Sequence, residues 1–468
     1  MQTSRPSRFK IFHYFLEALR GQQANFTEGS IRKAIFMLSI PMILEMAMES
    51  VFAVVDIAYV SRVSVNAVAT IGLTESVVTL VYAVAIGLSM AATAVVARRV
   101  GENDIAGARV AAVQAILLGS AVAVLVGLIG VFYARDILAL MGGETDLIEE
   151  GHGYTRWLLG GNITIMLLFL INAIFRGAGN ASVAMWTLVL SNGLNILLDP
   201  LFIFGWGPVP AYGVMGAAIA TNIGRGTAVL FQLCILLFGW SRIRLTLQAW
   251  RLDLGVMWNL VRISLGGIAQ FLIGTSSWVF LMRLMSTFGS EVLAGYTIAI
   301  RVIMFTLMPA WGMSNAAATL VGQNLGAGKP ERAETSVWIT GKYNAYFMAV
   351  VSLFYLVFAP ELLSWFNPAD TVVQSGALCL RIIAAGYVFY AYGMVVTQAF
   401  NGSGDTRTPT RINLVAFWLF QLPFAYVASL LLGWGPLGVF LAITLSEVLL
   451  TALAIRAFRV GRWKSFRV

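Results

Sequence analysis

"GLSMAATAVVARRVG" (residues 87–101) and "GMSNAAATLVGQNLG" (312–326) lie 225 residues apart and share six identities in fifteen positions: Gly87/Gly312, Ser89/Ser314, Ala91/Ala316, Ala92/Ala317, Val96/Val321 and Gly101/Gly326. The same offset lays "LSIP" (38–41) on "ISLG" (263–266) and "FRGAGN" (175–180) on "FNGSGD" (400–405), while "GWGP" recurs at 205–208 and 433–436. The register holds through loops as well as apolar runs, which marks an internal duplication and not the chance likeness of two greasy helices.

Composition says what is duplicated. Of 468 residues, 59% are apolar and 11% charged, and the mean hydropathy is +0.82; a soluble domain is about a quarter charged. A spanning helix needs roughly 20 mostly apolar residues, and twelve such runs are predicted, near 35–60, 68–97, 107–132, 156–175, 183–205, 212–239, 257–284, 291–320, 333–358, 378–400, 411–432 and 436–458. The fold expected is therefore an all-α integral membrane protein of 12 transmembrane helices, in two six-helix lobes related by pseudo-two-fold symmetry. Six is even, so both halves enter the membrane in the same direction, as in transporters whose substrate path runs between parallel repeats. The predicted organisation is a basic amphipathic segment (1–30), an N-lobe (31–239), a linker (240–262), a C-lobe (263–458) and a basic tail (459–468). Residues 1–30 lack an apolar core with a small-residue cleavage site, so no signal peptide is expected.

The chain carries 31 basic and 22 acidic residues. With alternating spans and an inner N-terminus, 23 basic residues fall in inner loops and tails, four in outer loops (Arg62, Arg135, Arg156, Arg283) and four within spans (Arg225, Arg301, Lys342, Arg381). That bias places both termini in the cytoplasm and accounts for the net charge without nucleic acid. "SRFKIFHYFLEALR" (7–20) reads as an amphipathic helix on the inner leaflet, and the acidic stretch 136–150 as a solvated outer loop. Cys234 and Cys379 lie in separate apolar runs and have no metal-ligand spacing. His13 and His152 fall outside the predicted spans, which argues against a histidine-dependent membrane enzyme.

Ionisable residues inside spans are expensive and are functional candidates by default. Six acids qualify: Glu45, Glu49, Asp56, Glu75, Asp199 and Glu447. The offset sets Gln270, Gly274 and Leu281 opposite the three acids of span 1, and Phe424 opposite Asp199, so the halves share a scaffold but not a chemistry. At about 100° per residue, Glu45, Glu49 and Asp56 fall on one face of span 1. Asn195 and Asp199, at i and i+4, share a face of span 5, and Thr221 and Asn222 bring polar groups into span 6. Asp56, Asn195, Asp199 and Thr221 are expected to form an ion-coupling site suited to a shared proton or to Na⁺ held by oxygens; alternatively, Asn195 and Thr221 hydrogen-bond neighbouring helices. Glu45, Glu49, Glu75, Arg301 and Gln270 are candidate cleft residues, with Glu75 and Arg301 expected to pair across the cleft or Glu75 to meet a cationic substrate. Arg225, Lys342 and Arg381 are expected to snorkel or pair locally. Pro41 and Pro200 are candidate hinges. "GSGD" (402–405) matches the motif of intramembrane aspartyl proteases, but its repeat partner is Asn180, so Asp405 reads as a turn or cap residue.

"VVDIAYVSR" (54–62), "LNILLDPLFI" (194–203), "GVMGAAIAT" (213–221) and "VGQNLGAGKPERA" (321–333) together resemble the multidrug and toxic compound extrusion (MATE) transporters, over about residues 30–458. The resemblance implies drug or organic-cation antiport by alternating access, coupled to H⁺ or Na⁺, with no other cofactor. In the branch with an N-lobe cation site (DinF-like), matching motifs place that site at Asp56, Asn195, Asp199 and Thr221, and a bending proline at Pro41. A second branch carries acids in spans 7 and 10; this sequence has none there. The expected protein is a monomeric, multi-pass inner-membrane exporter in a bacterium or archaeon, meeting small molecules and lipid but no nucleic acid, and not an enzyme. The alternative, a lipid-linked oligosaccharide flippase, calls for a basic cleft, whereas the first lobe reads as acidic.

Overall fold

A computed structural model describes residues 8–21, 26–60, 62–239 and 242–468. Its helices, in chain order, are α1 (Arg8–Arg20), α2 (Ile31–Val60), α3 (Val65–Gly101), α4 (Ile105–Leu140), α5 (Thr145–Gly160), α6 (Asn162–Gly177), α7 (Ala181–Phe204) and α8 (Val214–Phe238). The second half continues with α9 (Leu254–Met285), α10 (Ser290–Gly326), α11 (Pro330–Ser364), α12 (Asp370–Ala385), α13 (Tyr387–Ser403), α14 (Arg407–Asn413), α15 (Leu422–Tyr426) and α16 (Pro436–Val460). Wide π turns over Leu414–Gln421 and Val427–Leu431 make α14 and α15 parts of one span, Arg407–Leu431. Among the described residues, eleven segments are long and apolar enough to cross a membrane, and α12 with α13, bent by 56°, makes a twelfth.

The helices start where the sequence supplies caps. Ser64 Oγ accepts from the Ala67 N–H at 2.9 Å, Asp104 from Gly107 at 2.8 Å and Asp253 from Val256 at 3.0 Å, satisfying donors that the first turn of a helix leaves orphaned. Asp405 does the same for α14, accepting from the Thr408 backbone (3.1 Å) and hydroxyl (2.6 Å). It is a cap, as its repeat position suggested.

The duplication is written into the irregularities. Non-helical backbone interrupts α4 at Tyr133 and α11 at Phe358, 225 residues apart. The fourth span breaks between α5 and α6 at Gly161, and the tenth between α12 and α13 at Gly386, again 225 apart. Even the close approaches of backbone repeat. A Cβ on Gly87 would press on Ser264 and Ile268, and one on Gly312 on Met42 and Ile43; Gly177 abuts Thr93, and Gly402 abuts Ala318. Gly101 faces the Gln323 carbonyl while Gly326 faces the Arg98 carbonyl and Gly101 itself, so the pseudo-two-fold axis passes between these two glycines. Glycines let apposed helices approach backbone to backbone, and these last contacts close the end of the bundle where α2 begins and α16 ends.

Several boundaries differ from the sequence reading. α4 runs to Leu140 and the fourth span begins at Thr145, so of the expected loop 136–150 only 141–144 are non-helical; Glu149 pairs with Arg135 (3.1 Å) and Glu150 accepts from Ser64 Oγ (2.5 Å). His152 lies in the same helix. α9 starts at Leu254, inside the expected linker, because Asp253 caps it. The amphipathic α1 docks on the bundle: the Trp186 indole donates to the Leu19 carbonyl (2.9 Å) and Lys33 pairs with Glu17 (2.9 Å).

Candidate functional site

Between the two halves, above the glycine contacts, lies a cavity of ≈ 330 Å³ that adjoins a second of ≈ 350 Å³. The first half contributes Glu45 and Glu49 from α2, Tyr82 from α3, Asn172 and Arg176 from α6, Asn192 from α7 and Arg225 from α8. The second half answers with Phe271, Met308, Trp311, Gln398 and Asn401. Gln270 and Glu447 line the second cavity.

Polar groups here are tied together across long sequence separations. Arg176 donates to Glu45 at 2.5 Å, with the carboxylate 2% exposed, and Asn172 donates to the same oxygen at 3.3 Å. Gln232 donates to Asn172 at 2.5 Å, and Asn192 to Glu49 at 3.4 Å. In the second half Gln270 donates to Asn401 at 3.0 Å and to the Thr406 carbonyl at 3.1 Å. A lipid-embedded carboxylate would be costly alone; the Arg176 pair makes Glu45 tolerable.

Three of the four residues expected at an ion site, Asn195, Asp199 and Thr221, lie together. With the Asn195 amide oriented by its neighbours, its nitrogen donates to Asp199 Oδ2 (2.9 Å) and its oxygen accepts from the Thr221 hydroxyl (2.9 Å) and backbone N–H (3.0 Å). All three residues are buried between α7 and α8, and none lines either cavity. The side chain of Asp56 lies outside the described residues. α2 and α7 run on as helices through Pro41 and Pro200.

Other expectations are corrected. Glu75 and Arg301 are exposed and pair neither with each other nor with any described charge. Glu75 stands seven residues before Tyr82 and Arg301 seven before Met308, two helical turns further from the Gly101–Gly326 contact than those cavity residues. Arg225, expected to snorkel or pair locally, lines the cavity. Lys342 and Arg381 do pair locally: Lys342 stacks over the Tyr346 ring (5.7 Å) and Arg381 donates to the Leu356 carbonyl (3.0 Å). The apolar run 156–175 stops one residue short of Arg176, but α6 continues through it and carries it into the site. Its signal was present, since "FRGAGN" belongs to the repeat. The cleft of the first lobe is thus mixed in charge, with two arginines beside its two acids.

The sequence profile of the MatE family matches residues 41–201 and 265–427, one block in each half. A Thermotoga maritima relative named "Probable multidrug resistance protein NorM" is 26% identical over 93% of each chain, and an "FAD transporter" of Shewanella oneidensis is 23% identical over 90% of this chain and 92% of its own. Among solved structures, a MATE protein "in the straight conformation" superposes with a TM-score of 0.87 at 27% identity, covering 94% of this chain and 98% of that one. An "outward-facing conformation" of a multidrug resistance MATE family transporter gives 0.87 at 26%, covering 99% and 100%. Twelve spans in two repeated halves, a cavity on the axis between them and a profile matching both blocks lead to one conclusion: this chain belongs to the MatE family of membrane transporters.

Proposed function

We propose that the protein exports amphipathic small molecules, drugs or organic cations among them, in exchange for H⁺ by alternating access, with Na⁺ as the other coupling ion its oxygen ligands would suit. The observation that carries this reading is the pairing of a drug-sized cavity with a separate buried carboxylate, Asp199, which accepts from Asn195, itself bonded to Thr221. An antiporter needs two ligands to compete through the fold, and α7 links them: Asn192 touches the cavity one turn from Asn195. Proton entry at Asp199 would change the bonding of α7 to α8, and with it the setting of the cavity wall. The bias of basic residues towards one side supports cytoplasmic termini; on that topology the glycine-sealed end faces the cytoplasm and the cavity faces outward.

The test is dye transport in proteoliposomes driven by an imposed pH gradient without sodium, comparing the parent with Asp199→Asn. Loss of transport in the variant supports proton antiport through this site. Full transport by Asp199→Asn removes the site from the mechanism, and transport that appears only with a sodium gradient replaces H⁺ by Na⁺.

A further inference from the structure

Two segments outside the spans cross from one half to the other at the glycine-sealed end. Residues 26–29 lead into α2, and the start of α11 takes their carbonyls: Arg332 donates to Phe26 (3.2 Å), Glu28 (2.8 Å) and Gly29 (2.9 Å), and Lys329 to Thr27 (3.1 Å). The segment after α16 crosses in the opposite sense, its Phe466 carbonyl accepting from Arg98 in the last turn of α3. Each half thus extends a stretch of backbone that an arginine of the other half holds.

The two segments meet on α11, where Lys464 pairs with Glu331 (3.0 Å) and Glu334 (2.6 Å), either side of Arg332. Both are seated on apolar anchors. Phe26 is 3% exposed and packs with Ala181 of α7 and Ala316 and Leu320 of α10, and Trp463 is fully buried against Phe458. Neither segment has slack. Only Ser30 separates residues 26–29 from α2, and Trp463 fixes the other segment three residues before Phe466. Separation of the halves at this end, the movement that alternating access requires, would break these bonds rather than straighten a loop.

The donors are specific to the closed arrangement. Neither Arg98 nor Arg332 forms an ion pair among the described residues, and the rigid guanidinium fork of Arg332 matches one placement of the three carbonyls it takes. The repeat supplies no counterpart. The 225-residue offset sets Asp104 opposite Lys329 and Gly107 opposite Arg332, and there Asp104 merely caps α4 by accepting from Gly107 (2.8 Å). Lys329 and Arg332 are therefore features of the second half alone, placed where the first half sends its backbone across.

We infer that the segments before α2 and after α16 form a reciprocal clasp that holds this end shut. The balance between the two access states is then set outside the spans, with Arg98 and Arg332 as positioning residues. The inference rests on the alternating-access part of the export reading and on neither its substrate nor its coupling ion.

Spin labels introduced by Ala106→Cys on α4 and Thr335→Cys on α11, both exposed positions, report the separation of the halves in the full chain in proteoliposomes, with Cys234 and Cys379 replaced by serine. Arg332→Gln is expected to raise the ratio of separated to closed populations at least about tenfold. Arg98→Gln should raise it by a smaller factor, and Arg332→Lys, which keeps the charge but not the fork, should fall between Arg332→Gln and the parent. A second label pair, Ala106→Cys with Arg244→Cys, lies within the first half and should keep its distance, which distinguishes opening from misfolding. Unchanged separation in both glutamine variants, or a change in the within-half distance equal to that between halves, overturns the clasp. Dye transport in the same liposomes keeps the two readings apart: transport with unchanged separation overturns the clasp alone, and a chain that neither transports nor separates in any variant overturns the export reading with it.

Discussion

Alanine at Gly101 should unseat the closed end of the bundle. A Cβ there would stand 2.0 Å from the Gln323 carbonyl oxygen, and one at Gly326 2.2 Å from the Arg98 carbonyl oxygen. Ordinary contact begins near 3.4 Å, so backbone on both sides must part by more than about 1 Å, and no flexible side-chain end is available to give way. Overpacking of this kind costs about 1–3 kcal/mol, against which alanine returns at most about 1 kcal/mol of helix propensity. Gly72 isolates that second contribution: it lies inside α3 with nothing within 4 Å of a would-be Cβ, so Gly72→Ala carries the propensity gain alone. Because the strained contact exists only when the ends of α3 and α10 meet, its energy disfavours that state and shifts the conformational equilibrium by roughly 5- to 150-fold. Spin labels on the ends of α3 and α10, read as a distance distribution, should report a larger separated population for Gly101→Ala and Gly326→Ala alike. Pseudo-symmetry requires the two to agree. A distribution for Gly101→Ala that matches Gly72→Ala would refute the reasoning.

Three further outcomes are expected. Arg176→Ala strands a carboxylate that is 2% exposed and should destabilise by about 3–5 kcal/mol; the double variant Glu45→Gln/Arg176→Met should recover most of that in thermal unfolding in detergent, and failure to recover would mean that the pair is not the source. Asp405→Ala removes two capping bonds from α14 and should lower stability by about 1 kcal/mol, with transport retained, whereas loss of transport in a folded variant would return the residue to a chemical role. Trp463 is fully buried and stacks on Phe458 at 4.6 Å, so Trp463→Ala should cost about 3–5 kcal/mol; an unchanged melting curve would mean that the segment after α16 does not hold the bundle.

Much of this was legible in the chain itself. The duplication appears in the sequence as matched glycines and in the structure as matched breaks at Gly161/Gly386 and kinks at Tyr133/Phe358. The link between Asn195 and Asp199 was readable because the two are one helical turn apart, and Thr221 follows from the adjacent helix α8. Arg176 and Arg225 were not, since nothing local tells a helix-end arginine that reaches lipid headgroups from one that turns inward. Nor could the sequence separate Glu75 and Arg301, two turns before the lining residues Tyr82 and Met308 on the same helices, from residues that line the cavity.

What the sequence determined by itself is what water and lipid enforce residue by residue: apolar runs of spanning length, the side on which basic residues gather and, through the repeat, two like halves. What only tertiary structure decided is which charges meet. Arg176 and Glu45 are 131 residues apart, Gln270 and Asn401 likewise 131, and Arg225 and Tyr82 143. Such partners are chosen by how helices rotate and cross in the packed bundle, a choice spread over every buried contact and written in no single stretch of chain.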